Sequence, residues 1–148
     1  MNKKAFTLVE LIAVVVIMSI IALIATPNIV KISSNSKKES YAASVRQFIN
    51  KAGYMYNQEK YRSSFDSEGK INLSDIKGID PDALVDSYGC DFLPDSTITI
   101  TDAAVDRLPV RSYTVNIKSS CDDEIHCVNT TVTNVNYIDK EIVDQNCT

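Results

Sequence analysis

The 148-residue sequence has no tryptophan, four glycines and one histidine, His126. With one imidazole and no Gly-rich run, neither a Ser/His/Asp set nor a phosphate-cradling loop can be assembled. The chain is therefore expected not to be an enzyme and to need no cofactor. Excess base is also missing. There are 15 Lys and Arg against 19 Asp and Glu, a formal charge of −4, and non-specific nucleic-acid binding rests on neutralising phosphates, so no direct nucleic-acid partner is expected. Paired CxxC spacing is absent, so zinc at His126 and Cys127 lacks the usual structural ligand pattern. The acids Asp66, Glu68, Asp80, Asp82, Asp86 and Asp91 do not follow EF-hand spacing. They read as solvated loop carboxylates, and no metal site is expected.

What is present is concentrated at the start, in MNKKAFTLVELIAVVVIMSIIALIATP, residues 1–27. Lys3 and Lys4 precede an apolar run from Ala5 to Ala25 that only Thr7, Glu10 and Ser19 interrupt. At about twenty residues, the run can cross the hydrocarbon core as a helix. The basic flank should stay cytoplasmic, which places Pro27 and the remainder of the chain on the far side. Glu10 is the unusual residue, because a carboxylate within a bilayer segment costs several kcal/mol unless it is neutralised. Cleavage between Ala5 and Phe6 would put the new α-amino group of Phe6 one helical turn from Glu10, on the same or a neighbouring subunit.

Lys3-Lys4-Ala5 followed by Phe6-Thr7-Leu8-Val9-Glu10-Leu11-Ile12 resembles the class III leader and mature start of type IV pilins and pseudopilins. The resemblance implies that a membrane-embedded aspartic prepilin peptidase removes residues 1–5 and methylates the amino group of Phe6. It further implies that Glu10 guides subunits into a homo-oligomeric helical filament, built by an assembly platform and its ATPase machinery. Pro27 stands at the family's usual kink position. Ala5 departs from the pattern, since the family mostly has Gly there, but a small residue is kept. The implied location is single-pass in the cytoplasmic membrane as precursor, then a cell-surface filament. Loss of Lys3 and Lys4 would leave 13 bases against 19 acids and a charge of −6. Two other readings of the same stretch stand beside this one: a conventional signal peptide cut near the small residues Ala22 and Ala25, and an uncleaved anchor.

Within the resemblance, three roles remain open. One is a pilus subunit for adhesion, motility or DNA uptake. The second is a pseudopilin of a type II secretion or competence machine. The third is a minor tip pilin acting as a binding module, with Arg107 and Arg111 as a small basic contact.

The resemblance implies a leader at 1–5, and behind it the spacing predicts an α+β fold with a long helix over 6–58 and a globular head over 59–148. Residues 6–26 of the helix form the membrane or filament-core portion. Tyr41, Val45, Phe48, Ile49, Ala52 and Tyr56 fall at steps of three and four on one face, a stripe fit to cover a sheet. The helix would be nearly 80 Å long at 1.5 Å per residue, so its N-terminal half should protrude. Ser33-Ser34-Asn35-Ser36, following Pro27, reads either as a flexible joint in a filament or as a mildly kinked surface helix.

From Tyr61 to Asp95 the sequence reads as a long connecting loop. Short helical turns are expected at Leu73–Ile76, capped by Asn72, and at Pro81–Val85, begun at Asp80. Alternation predicts strands at Thr97–Thr101 and around Tyr113–Lys118, with a third over Cys127–Ile138 whose apolar register must shift or bulge. Three or four antiparallel strands would close one helix-on-sheet core. Cys90, Cys121, Cys127 and Cys147 all fall in the extracytoplasmic part and read as two disulfides. Of three connectivities, Cys121 to Cys127 and Cys90 to Cys147 are expected, the first closing the acidic turn Asp122-Asp123-Glu124.

Overall fold

The computed structural model describes residues 7–80, 84–106, 108–121, 124–145 and 147, with the side chains of residues 25–28 outside the description. Helix α1 spans Leu8–Tyr56, followed by strands β1 (Lys70–Asn72), β2 (Asp91–Phe92), β3 (Thr97–Val105), β4 (Leu108–Cys121) and β5 (Glu124–Val132). Short 3-10 turns lie at Glu59–Ser64, Leu73–Asp75 and Val135–Tyr137. Two compact units divide the chain between Ser36 and Lys37, within the helix.

The first unit is the apolar start of α1. Every large apolar side chain described from Leu8 to Ile32 is exposed, from 46% at Val14 to 78% at Leu23. This is the one helix, among the described residues, long and apolar enough to cross a membrane. Residues 33–36 are helical.

In the second unit the sheet is antiparallel throughout and β4 is its centre. One edge of β4 carries β3, from Thr97↔Asn116 to Val105↔Leu108, and then β2 at Ser119 and Ser120. The other edge carries β5, from Tyr113↔Val132 to Cys121↔Glu124. Strand β1 extends the sheet beyond β3. Five strands thus replace the expected three or four, because the connecting region supplies two short ones.

Alternation decides what faces the helix. Ile98 and Ile100 of β3, Val115 and Ile117 of β4, and Val128 and Val132 of β5 are buried. They close on Tyr41, Ala42, Val45, Phe48, Ile49, Ala52 and Met55 of α1. Ile71, Leu73, Ile76, Phe92, Ile138 and Val143 fill the margins of this core. Phe92 meets Phe48 edge-on at 5.1 Å and lies tilted against Tyr41 at 5.4 Å, the geometries that ring quadrupoles favour.

Two expectations need correction. No bulge carries β5 on to Ile138: the strand pairs regularly to Val132, and Val135–Tyr137 is a separate 3-10 turn. The apolar residues on both sides of that break belong to different elements, so one period cannot fit them.

The disulfides are Cys90–Cys121 and Cys127–Cys147, not Cys121–Cys127 and Cys90–Cys147. Cys121 is in register with Glu124 and Cys127 with Lys118, so the two cysteines alternate onto opposite faces of the sheet. A bridge between them would have to pass through the ladder. Strand β2 instead brings Cys90 to the end of β4, with Cα atoms 4.7 Å apart. The tail brings Cys147 to β5 at 5.7 Å.

Candidate functional site

The N-terminal segment begins with a reciprocal cap. Glu10 Oε2 accepts hydrogen bonds from the Thr7 amide and hydroxyl, both at 2.9 Å, and the Glu10 amide donates to Thr7 Oγ1 at 3.3 Å. Thr7 precedes the first helical residue and Glu10 is the third, which is capping-box spacing. Ser19, the third interruption of the run, donates its hydroxyl to Val15 O at 2.7 Å. Thr7, Glu10 and Ser19 thus each make a hydrogen bond within the segment, although donation from Thr7 does not neutralise the Glu10 carboxylate. Glu10 has an intrachain role that its position in the apolar run did not suggest; the Thr-x-x-Glu spacing was the available signal.

Ala5 and Phe6, where cleavage and methylation are expected, lie outside the described residues. Pro27 falls within α1.

In the head, polar groups gather at one end of the core. Asp86 is buried, and it accepts from the amides of Tyr88 at 2.7 Å and Cys90 at 2.9 Å and from the Ser119 hydroxyl at 2.5 Å. It is not one of the solvated loop acids it was expected to be. The Tyr41 hydroxyl donates to His126 O at 3.1 Å, and the Tyr88 ring stacks on the His126 ring at 3.7 Å. Burial pushes the Tyr88 hydroxyl up to about 12, aided by the charges of Asp144 and Asp86, and burial likewise raises Tyr41.

Asp66 forms the same turn as Asp86. Its carboxylate accepts from the amides of Glu68 and Lys70, and the Lys70 bond leads in holding its carboxyl below the usual range. The repeated Asp-Ser-x-Gly at Asp66–Gly69 and Asp86–Gly89 was the unused sequence signal for both turns. Each needs a glycine at positive φ, 79° at Gly69 and 91° at Gly89.

Cys127 is committed to a disulfide, and no free cysteine is present among the described residues. The zinc alternative at His126 and Cys127 is thereby overturned, since zinc needs a thiolate. Arg111 is likewise engaged. It holds Asp102 through two nitrogens at 2.6 and 2.9 Å, donates to Asn57 Oδ1 at 2.8 Å and lies over the Tyr56 ring. It latches the sheet to the end of α1, and Arg107 lies outside the described residues. At Leu73–Asp75 the expected turn is present, but Asn72 bonds the Asp75 side chain instead of capping a backbone amide. The turn expected from Pro81 begins outside the described residues.

A family model described as the prokaryotic N-terminal methylation motif matches residues 1–26. No curated protein and no solved structure matches the chain. The motif implies processing by prepilin peptidase and entry into pilus-type machinery, and with the apolar helix it fits a membrane-anchored precursor. The chain therefore carries the class III prepilin-type signal of type IV pilins and pseudopilins, and is pilin-like both in that signal and in its long helix packed on an antiparallel sheet.

Proposed function

We propose that the chain is a structural subunit of a type IV pilus filament, made as a single-span membrane precursor and cut between Ala5 and Phe6. In this reading residues 1–5 are the leader, 6–26 the membrane and filament-core portion, and 59–148 the head. The observation that supports it most is the coincidence of the methylation motif over residues 1–26 with a helix whose large apolar side chains, among those described from Leu8 to Ile32, are all exposed. An exposed apolar surface of that extent needs lipid or like helices to cover it. Burial among neighbouring helices stabilises the polymer, and Glu10 penalises registers that leave it without a partner for its charge.

The capping box gives Glu10 a partner while the subunit is alone, through Thr7. In the filament the methylated amine of Phe6 on an adjoining subunit supplies a cation for the same carboxylate. Pro27 and the Ser33–Ser36 stretch serve as the joint at which the packed helix adjusts.

Mass spectrometry of the mature N-terminus tests the reading: methyl-Phe6 is expected, and a start near Thr26 or Pro27, or an intact Met1, overturns it. Electron microscopy of sheared fibres with an antibody to the head then assigns the role. Label along the shaft is expected; label at the tip alone identifies a minor pilin, and absence from fibres a pseudopilin.

A further inference from the structure

The two Asp-Ser-x-Gly turns are the starts of a longer likeness. Asp66, Ser67, Gly69, Leu73 and Asp75 recur twenty residues on as Asp86, Ser87, Gly89, Leu93 and Asp95. The hydrogen bonds recur with them. In each copy the aspartate amide donates to a carbonyl four residues on, Asp66 to Lys70 at 3.0 Å and Asp86 to Cys90 at 2.8 Å, and the glycine amide returns to the aspartate carbonyl. In each the aspartate carboxylate takes the next two amides of the turn, those of Glu68 and Lys70 or of Tyr88 and Cys90. After each short strand the leucine amide donates outward, Leu73 to Ser96 O at 2.7 Å and Leu93 to Lys118 O at 2.8 Å. A second turn then closes, Ile76 to Leu73 O and Ser96 to Leu93 O.

The copies also sit on their host strands alike. Lys70 pairs with Thr99 and Ile71 with Ile98 on β3, while Asp91 pairs with Ser120 on β4, which puts Cys90 opposite Cys121. Lys70 and Thr99 therefore stand where the second copy has its disulfide. The two copies present opposite faces of the sheet. In the first, Ile71 is buried between exposed Lys70 and Asn72; in the second, Cys90 and Phe92 are buried and Asp91 is exposed. Alternation explains this, since the turn leaves the backbone pattern unchanged whichever face the strand residues turn inward.

Each copy is a clasp that holds a short strand to a sheet edge, but the two are fastened unequally. The second is bonded covalently through Cys90–Cys121, its carboxylate is buried and also takes the Ser119 hydroxyl, and Ser87 donates to Lys37 O at 2.6 Å. Phe92 is seated between Tyr41 and Phe48. In the first, Asp66 is exposed, so water competes for the bonds its carboxylate accepts. Ile71 is the one buried large apolar residue described between Asp66 and Asn72; the next anchors, Leu73 and Ile76, lie beyond it.

We infer that Asp66–Asn72 is a releasable edge of the head, a second copy of the Asp86–Phe92 clasp without its covalent lock, which opens from β3 as a unit while the locked copy stays shut. Opening frees the Ile100 amide from Gly69 O and bares the edge of β3, and Leu73 and Ile76 keep the segment tethered. It is a local opening and not unfolding of the head. The inference concerns the head alone and holds whichever filament the chain enters.

Hydrogen exchange on the full chain in detergent micelles at one pH tests it, with the intrinsic rate of each amide divided out. The Gly69, Lys70 and Ile100 amides are expected to share one protection factor, at least tenfold below that of Gly89 and Cys90, a factor within what one disulfide contributes. Lys70→Cys combined with Thr99→Cys should form a third bridge, since these residues pair as Cys90 and Cys121 do, and should raise the three amides at least tenfold while leaving Gly89 and Cys90 unchanged. Should added cysteines disturb the native pairing, Asp66→Ala gives the opposite reading: a further loss of roughly fivefold at the same three amides, with Gly89 and Cys90 unmoved. Equal protection of the two sets in the natural chain, or Gly69 and Lys70 exchanging only together with β4, overturns the inference.

Discussion

Cys121 and Cys127 stand on opposite faces of the β4–β5 pair although only five residues separate them, because Cys121 is in register with Glu124 and Cys127 with Lys118. Each finds its partner in a segment that arrives from elsewhere in the chain. Digestion of unreduced protein with a protease that cuts after acidic residues, which separates Cys121 from Cys127, should yield the linked peptides Cys90–Cys121 and Cys127–Cys147. The bridges enclose separations of 31 and 20 residues, so removing either should lower stability by roughly 3 to 4 kcal/mol in the chain-entropy account. Urea unfolding of Cys90→Ser and Cys147→Ser measures this.

Glu10→Ala should leave the head folded, with unchanged disulfides and near-native hydrogen exchange, while sheared filament yield falls at least tenfold. Thr7→Val keeps the acid but removes the hydroxyl that caps the helix, a loss of about 1 kcal/mol at the helix start. Its filament yield should therefore fall much less than that of Glu10→Ala. Equal yields from the two variants would assign Glu10 to the cap alone.

Two glycines with similar backbones should respond differently to a methyl group. At Gly69 an added Cβ collides with the Ile100 carbonyl, whereas at Gly89 nothing lies within 4 Å. Both have positive φ, so Gly89→Ala should cost about 1 kcal/mol from conformation alone. Gly69→Ala should cost clearly more, because the β1–β3 edge must move. Thermal unfolding of the two variants compares them directly.

Removing the Asp86 carboxylate strips three hydrogen bonds from a buried turn, including the shorter of the two that the Ser119 hydroxyl makes. Asp86→Ala should cost about 3 kcal/mol or more. The paired change with Ser119→Ala should cost less than the sum of the two single changes, since both remove the same short bond and Ser119 would otherwise keep only its 3.5 Å contact with the Tyr41 hydroxyl. A double-mutant cycle reads this out.

Acid should weaken the head through particular carboxylates. The Arg111 guanidinium holds the Asp102 carboxyl below its usual range, and the Lys70 amide leads in doing so at Asp66. A carboxyl that is more acidic folded than unfolded adds stability above its unfolded value, near 4, and loses it as pH falls through the folded one. Stability should therefore decline below about pH 4, and Asp102→Asn should flatten part of that decline. Both groups are largely exposed, so the effect of each should be small and reduced by salt.

The helix stripe and the alternating strands could be read from the sequence because each repeats a single geometric period. Tyr41, Val45, Phe48, Ile49 and Ala52 are all buried, as are Ile98 and Ile100. Strands β1 and β2 were not legible: three and two residues are too few to show a period, and each exists only because a neighbouring strand offers an edge. Asp86 departs from the solvated-loop expectation for a related reason. Its composition is that of a loop, but Ser119, 33 residues away, gives it a buried partner.

The sequence alone determined the apolar run with its single acid, the basic residues before it and the amphipathic stripe after it, since these depend on side-chain chemistry at fixed local spacing. Tertiary structure alone decided which cysteine meets which and where β5 stops. Those facts depend on strand register and on where the tail returns, and no local period encodes contacts between residues that only folding brings together.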